Sequence, residues 1–368
     1  MSESDHWRRP RDETTHVKDD RFHRMRGRSV QAAACAAFVL ATTVATAADP
    51  VADFYRGRSV ALIIGYSVGG GYDAYGRVVA RHLGKHIPGS PTVIPQNMPG
   101  AGSLRAANYL YNIAPKDGTA LAHFSRGMAM EPLIGTSATQ FDARKFTWLG
   151  SGTDEVSVCL TWHASRVRTW NDMLTIPFTV GGEGSGSDPD IFAAVLRNAL
   201  GVKIKLVSGY PGTAEVSLAI ERGELDGRCG WSWSSLKLTK RDWIAEKRIN
   251  LILQLALQKS PELPDVPLIV DFADNERQRQ ILRLVLSRQS MARPFAAPPG
   301  LPQERAAALR LAFERTMADP EFLAEAAQRG IEVNPVTGAE IDKLLAELYG
   351  TAPDIVARTR AIIGEGAK

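Results

Sequence analysis

Gly65-Tyr66-Ser67-Val68-Gly69 has the G-x-S-x-G spacing of a hydrolase nucleophile elbow. Gly69-Gly70-Gly71-Tyr72-Asp73-Ala74 overlaps it and has the G-x-G-x-x-G/A spacing of a dinucleotide fingerprint. The surrounding stretch, ALIIGYSVGGGYDAYGRVV from Ala61, reads as a buried strand, a glycine corner and a helix start. Such a corner can also hold an anion on the bare N–H groups of the helix N-terminus. Equally, the glycines can serve only a tight turn with positive φ, and Asp73 only as an N-cap.

The hydrolase chemistry lacks its base. That fold orders its triad as Ser, acid, His, and no histidine follows His163 in this chain of 368 residues. His82 and His86 belong to the helix after the corner, and no His-Gly-Gly-Gly oxyanion motif occurs. The dinucleotide chemistry needs an acid about 20 residues on, for the ribose. None lies between Leu83 and Ser103, and Asp73 would set like charge against a pyrophosphate.

The corner recurs. QNMPGAGSLRA carries Asn97, Gly100, Ala101, Gly102 and Ser103; GGEGSGSDPD carries Gly184, Ser185, Gly186, Ser187 and Asp188; SGYPGTAEV carries Tyr210, Gly212 and Thr213. Four strand ends thus offer N–H groups and hydroxyls to helix starts, where ligands of open α/β sheets bind. Arg126, in HFSRGM, is either a carboxylate clamp or a surface arginine. Trp231 and Trp233 would share one strand face, in the core or walling an organic ligand. His82 and His86, four apart on a helix, could share a metal or simply sit at a solvated helix end. Asp188 and Glu183 form no obvious acid–base pair, and Cys159 with His163 has no activating context.

The elements that must position these groups alternate. SVALIIGY, PTVIPQN and TALAHFS read as strands, with DAYGRVVARHLGKHI and GSLRAANYLYNIAP as the helices between them. FTWLGSGTDEVSVCLTWHASRVRTWNDML carries strand-like runs and reads as a crossing segment. A second β-α-β series follows in PFTVGGEGSGS, DPDIFAAVLRNALG, VKIKLVSGY, GTAEVSLAIERGELDG and RCGWSW, and RINLILQLAL is another strand. After a proline-punctuated loop and the helix ERQRQILRLVLSR, QSMARPFAAPPG is an extended return, and the C-terminus is helical. The pattern predicts two α/β lobes, the second inserted near Val156 and ending near Ser287, with two crossing segments as hinge.

MRGRSVQAAACAAFVLATTVATAADP, from Met25, has the basic start, apolar run and A-x-A site of a signal peptide cleaved near Ala47. Residues 1–24 are a charged leader, so the start is Met1 or Met25. The 44 Lys and Arg nearly balance the 40 Asp and Glu. Without a dense basic run interleaved with aromatics, no nucleic-acid partner is implied. Cys35 lies in the signal; Cys159 and Cys229 form a disulfide in an oxidising compartment or remain buried thiols.

Four pieces in order, GGGYDAYGR, QNMPGAGS, APKDGT and VSGYPGTAE, resemble the Bug/TctC-type periplasmic solute receptors of tripartite tricarboxylate transporters. The resemblance covers nearly the whole mature chain. It implies an α/β, two-lobed periplasmic-binding-protein fold (Venus-flytrap, type II-like). Lobe 1 would be 48–155 and 288–368, lobe 2 would be 156–287, after the leader and a signal at 25–47. It implies a tri-, di- or aromatic carboxylate gripped by Tyr66, Ser67, Gly69, Gly70, Gly71, Tyr72 and Asp73, and by Asn97, Gly100, Ala101, Gly102 and Ser103, partly through water. Ser125, Arg126 and Gly127 would line the same side. Gly184, Ser185, Gly186, Ser187, Asp188 and Tyr210 would close from the second lobe.

The implied protein is a monomeric periplasmic receptor that delivers its ligand to a two-subunit membrane permease. It is not an enzyme and needs no cofactor or metal. The alternatives are an extracytoplasmic sensor of the same fold and an exported Ser hydrolase using Ser67. The ligand carboxylate is expected to meet N–H groups and hydroxyls rather than a dense arginine cluster. The family's usual prolines are missing at Ser67 or Val68 and at Gly71, and GEGSGSD and GRCGWSW also leave its pattern. Loop shape and ligand identity are open at those points.

Overall fold

The computed structural model describes residues 49–135 and 138–364. The leader, the signal peptide and its cleavage site, and Cys35 lie outside the described residues. Eleven strands are described: β1 (Ser59–Ile64), β2 (Thr92–Asn97), β3 (Ala120–His123), β4 (Thr147–Ser151), β5 (Ser157–Trp162), β6 (Phe178–Gly181), β7 (Ile204–Val207), β8 (Gly227–Ser232), β9 (Ile249–Leu255), β10 (Pro294–Ala297) and β11 (Val336–Thr337).

They form two mixed sheets. The first has the order β11-β4-β10-β3-β1-β2 and the second β7-β6-β8-β5-β9. In the first, β1 lies between β2 and β3, all parallel, while β10 runs antiparallel to β3 and β4. In the second, β6 lies parallel between β7 and β8, while β5 runs antiparallel to β8 and β9. Each sheet therefore reverses its winding at its central parallel strand, β1 or β6. That switch point opens a crevice at the strands' carboxyl ends.

The apolar run of β1 is explained by layers on both faces. Val60 and Leu62 pack with Tyr75, Val79 and Leu83 of the helix Gly71–His86, while Ile63 joins Leu104 and Leu110 on the other face. That helix lies close on its strand: a β-carbon at Gly76 would meet Ile64 Cδ1 at 2.9 Å. On the second sheet, Val158, Leu160 and Trp231 face Val216 and Ile220.

The chain crosses between the sheets at 152–156 and again at 287–293. The two crossings are bonded backbone to backbone, Gly152 N to Arg293 O (3.0 Å), Ala292 N to Thr153 O (2.9 Å) and Glu155 N to Gln289 O (3.0 Å). The last helix, Pro353–Gly364, packs on the helices Asp188–Leu200 and Glu276–Leu286 of the second-sheet side. Its Arg360 Nε also donates to Leu133 O at 2.6 Å.

One local reading needs correction. RCGWSW is not a single strand: β8 ends at Ser232, and Trp233 opens the helix Trp233–Thr239. Trp231 and Trp233 therefore do not share a strand face. The long crossing stretch resolves into β4, β5 and the helix Trp170–Thr175, whose Thr169 and Asp172 make a capping box. Cys159 and Cys229, register partners on β5 and β8, are joined by a disulfide.

Candidate functional site

The glycine corners bring the two sheets into contact. A β-carbon at Gly102, where φ is +60°, would meet Ser187 N at 2.3 Å, and one at Gly184 would meet Ala101 Cα at 2.6 Å. Gly102 N donates to Glu183 O at 2.7 Å, and Ser125 Oγ to Gly186 O at 3.2 Å. Only residues without side chains let these backbones come so close. Gly127 and Gly71 do the same, against Gly186 O and the Ser235 side chain. Ser67 adds a further contact: its N–H donates to Pro211 O (3.3 Å) and its hydroxyl to Glu215 (2.9 Å). With a carboxylate as partner and no histidine beside it, Ser67 is not set as a nucleophile.

Several of the expected ligand residues bond to the loops that carry them. Asp73 is buried and accepts from Gly69 N (3.0 Å), Arg77 Nε (2.8 Å) and Asn97 Nδ2 (2.8 Å). Asn97 Nδ2 also donates to Tyr66 O at 2.9 Å, which ties the end of β2 to the first corner. Ser103 Oγ donates to Gly65 O (3.1 Å) and accepts from Ser125 N (3.0 Å). Ser187 caps the helix Asp188–Leu200, with Pro189 in its first turn and Gly201 closing it at φ +73°. Tyr210 packs with the second sheet's outer core, and Gly70, Gly100 and Ser185 do not line the central cavity.

The cavity itself lies between the sheets. Of the expected residues, Tyr66, Tyr72, Ser125, Arg126 and Asp188 line it; Glu183, Arg228 and Trp231 join them from the second sheet. The space left is about 20 Å³, room for one water. A roomier groove of about 430 Å³ runs beside the crossings, along Asp154, Trp233, Lys259 and Glu332, but none of the glycine corners reaches it.

The fold gathers four buried arginines that the loop motifs do not show as a cluster. Arg126, Arg228, Arg288 and Arg293 are each no more than 3% exposed. Arg126 Nε donates to Asp188 Oδ2 at 2.6 Å, and its Nη2 to Ser157 Oγ (2.7 Å) and Ser232 Oγ (3.2 Å). Arg288 Nη1 reaches Asp188 Oδ1 at 3.3 Å, Arg228 Nη2 reaches Glu183 Oε1 at 2.9 Å, and Arg293 Nη2 reaches Glu155 Oε2 at 3.4 Å. Burial pushes the Glu183 and Glu155 carboxyls above their ordinary values, although Arg228 and Arg293 pull them back. One signal was available: Arg228 sits mid-strand in GRCGWSW, where a buried strand rarely carries charge.

Among the described residues, the buried side-chain atoms without a partner that belong to cavity-lining residues are Arg126 Nη1, Arg228 Nε and Nη1, and Trp231 Nε1. All are donors. A buried donor left unmade costs about 1–3 kcal/mol, so this set calls for an acceptor.

His82 and His86 lie against carboxylates at the helix Pro320–Arg329, where His82, Asp319 and Glu321 bring ligand-type atoms within 4.8 Å of one another. His86 Nε2 lies 3.0 Å from Asp319, His82 Nε2 lies 2.8 Å from Glu325, and Lys85 Nζ already stands between Asp319 and Glu321. The cluster clamps the helix Gly71–His86 to the helix Pro320–Arg329. Among the described residues, no helix is long and apolar enough to cross a membrane.

No family model matches the chain. An Agrobacterium vitis UPF0065 protein, from the TAR-I ttuE-ttuC' intergenic region, is 25% identical over 240 residues, 63% of this chain. The match spans 66% of that relative, just under two thirds of its length. A Cupriavidus necator UPF0065 protein from the gbd 5' region is 25% identical over 86% of this chain and 91% of its own. Among solved structures, the periplasmic binding protein BugD superposes with a TM-score of 0.66 at 18% identity, over 85% of this chain and 99% of its own. MatC from Rhodopseudomonas palustris with bound malate gives 0.64 at 18%, over 83% and 99%. An R. palustris protein with adipate gives 0.65 at 16%, over 83% and 98%.

The chain thus has the two-lobed α/β fold of periplasmic solute-binding proteins. The resemblance read from its motifs is met in relatives labelled UPF0065, which is the Bug family. The solved structures it resembles are binding proteins, not enzymes.

Proposed function

We propose that this protein captures a small carboxylate in the cleft between its two sheets, on the periplasmic side of the membrane, and delivers it to a membrane permease. The single observation that carries the reading is the donor-only set of unpartnered groups around the central cavity. Ligands with acceptors and negative charge satisfy such a set; amides and amines do so poorly. The malate and adipate held by proteins of the same fold agree with this class.

Opening would use the two crossings, 152–156 and 287–293, as a hinge between lobe 1 (48–155 and 288–368) and lobe 2 (156–287). Closure would bring the corners at Tyr66–Asp73 and Asn97–Ser103 against Gly184–Asp188, with the ligand beneath them. The closed monomer would then dock on a permease of two subunits.

Thermal melts of the purified protein against carboxylates and their neutral amides test this. A carboxylate at 100 times its Kd stabilises by about 2.7 kcal/mol, a shift of several degrees. Mass spectrometry of small molecules released on denaturation identifies a ligand that already fills the cleft. Stabilisation by amides but not by acids would contradict the reading.

A further inference from the structure

The helix Gly71–His86 starts at the first glycine corner and ends in the clamp of charged side chains. Four residues of the clamp have the chemistry of metal ligands. His82 and His86 stand four apart, on one face of the helix. Asp319 and Glu321 meet them from the start of the helix Pro320–Arg329. His82, Asp319 and Glu321 each bring one ligand atom within 4.8 Å of the other two. His86 Nε2 lies 3.0 Å from Asp319 Oδ2, and His82 Nδ1 lies 3.9 Å from the same oxygen.

These separations suit a small divalent cation. Zinc, bound to nitrogen and oxygen at about 2.0–2.2 Å, sets the atoms of a tetrahedral ligand pair about 3.4 Å apart. That value falls between the two imidazole–carboxylate separations. The tautomer of His82 points the same way. Glu325 Oε2 lies 2.8 Å from His82 Nε2, and a carboxylate there accepts a hydrogen bond from the ring N–H. A neutral His82 then turns the bare lone pair of Nδ1 towards Asp319, too far off for a hydrogen bond. Two acceptors that face each other call for a cation between them. A carboxylate behind a ligating imidazole is also the common outer partner at zinc sites. In this structure Lys85 supplies the positive charge, with Nζ 2.5 Å from Asp319 and 2.6 Å from Glu321. Its side chain is 37% exposed, so it can swing into water as a metal enters.

We infer that His82, His86 and Asp319, with Glu321 or water in the fourth position, bind one divalent transition-metal ion of the zinc class. The ion fastens the helix that carries the first corner to the helix Pro320–Arg329. Imidazole ligands favour such an ion over calcium and magnesium, which take oxygen. Lys85 is its built-in competitor, and Glu325 positions the His82 ring. His82 lies about 16 Å along the helix from Gly71, so the site is separate from the cleft and does not rest on carboxylate capture.

Calorimetry on the full chain tests this, with zinc chloride as the probe and magnesium chloride as the control. One zinc site per chain is expected that His86→Gln weakens at least tenfold. Glu325→Gln is expected to weaken it roughly tenfold, the usual effect of removing an outer partner. Lys85→Gln is expected to tighten it several-fold, because the competing ammonium group is gone. Loss of the fold cannot produce that gain, so Lys85→Gln decides the matter if His86→Gln does not fold. Zinc held by histidines elsewhere is common to every variant and cancels in the comparison. Absence of a zinc site, magnesium bound as tightly as zinc, His86→Gln within twofold of the unaltered protein, or no gain in Lys85→Gln overturns the inference. None of these results bears on carboxylate capture.

Discussion

Arg126 and Asp188 meet at 2.6 Å across the cleft, each under a tenth exposed, one from the segment after β3 and the other from the first turn of the helix Asp188–Leu200. The pair couples the two sheets through charge as well as shape. Removing one partner of such a pair leaves the other buried and uncompensated, at about 3–5 kcal/mol. Asp188→Asn is therefore expected to melt several degrees lower without ligand. Its gain on adding a saturating carboxylate should exceed that of the unaltered protein, because the ligand supplies the missing charge. Equal gains in the two proteins would separate Asp188 from the ligand site.

Gly102 tests whether the corners must interlock. Its φ of +60° and the 2.3 Å approach of Ser187 N leave no room for a methyl group. Gly102→Ala is expected to weaken carboxylate binding more than tenfold while the far-ultraviolet dichroism stays unchanged. Unaltered affinity would mean that the ligand is held without this contact.

His123 sets an acid limit. It is fully buried, its Nδ1 is 2.9 Å from Pro294 O, and it stacks on Phe295 at 4.2 Å. Burial, helped by the nearby Arg293 charge, pushes its pKa down to about 3, while the bond to Pro294 opposes the shift. The unfolded chain takes up the proton near pH 6.5, so stability falls as pH drops below that value. The loss at pH 5 is about 2 kcal/mol. His123→Gln should flatten the melting profile between pH 6.5 and 4; an unchanged slope would place the acid sensitivity elsewhere.

The clamp between the helices Gly71–His86 and Pro320–Arg329 acts lower on the pH scale. Burial raises Asp319, but Lys85 and His86 more than offset it and hold it at about 2. Arg81 first, with His82 and Arg329, holds Glu325 at about 2. These depressed carboxyls contribute stability that is present above about pH 4 and is lost as pH falls through 2. Glu325→Gln is expected to lose less than the unaltered protein between pH 4 and 2 in melts across that range.

The pair Cys159–Cys229 closes a span of 70 residues across β5 and β8. In the denatured, unreduced protein neither cysteine should take an alkylating reagent, and both should after reduction, as read by peptide mass. Replacing both with serine is expected to cost about 2–5 kcal/mol.

Much of this was legible in the residues. The continuous apolar run of β1 marked a strand covered on both faces, and the corners at Gly69–Asp73, Gly100–Ser103 and Gly184–Asp188 stand at the strand ends where the sheets meet. What could not be read was which corner residues turn inward. Asp73 and Asn97 have ligand-like chemistry but satisfy each other and Arg77, a matter of three-dimensional pairing. The arginines were hidden because positions 126, 228, 288 and 293 come from separate elements that only the fold gathers. Trp233 was misplaced because Trp-Ser-Trp fits a strand and a helix start equally well over so short a window.

A crystal structure with the most stabilising carboxylate bound decides where the ligand sits. The carboxylate is expected between the sheets, within hydrogen-bonding distance of Arg126 Nη1 and beneath the Tyr66–Asp73 and Asn97–Ser103 corners. A carboxylate bound away from both corners, in the groove beside the crossings or on the outer surface, would contradict it.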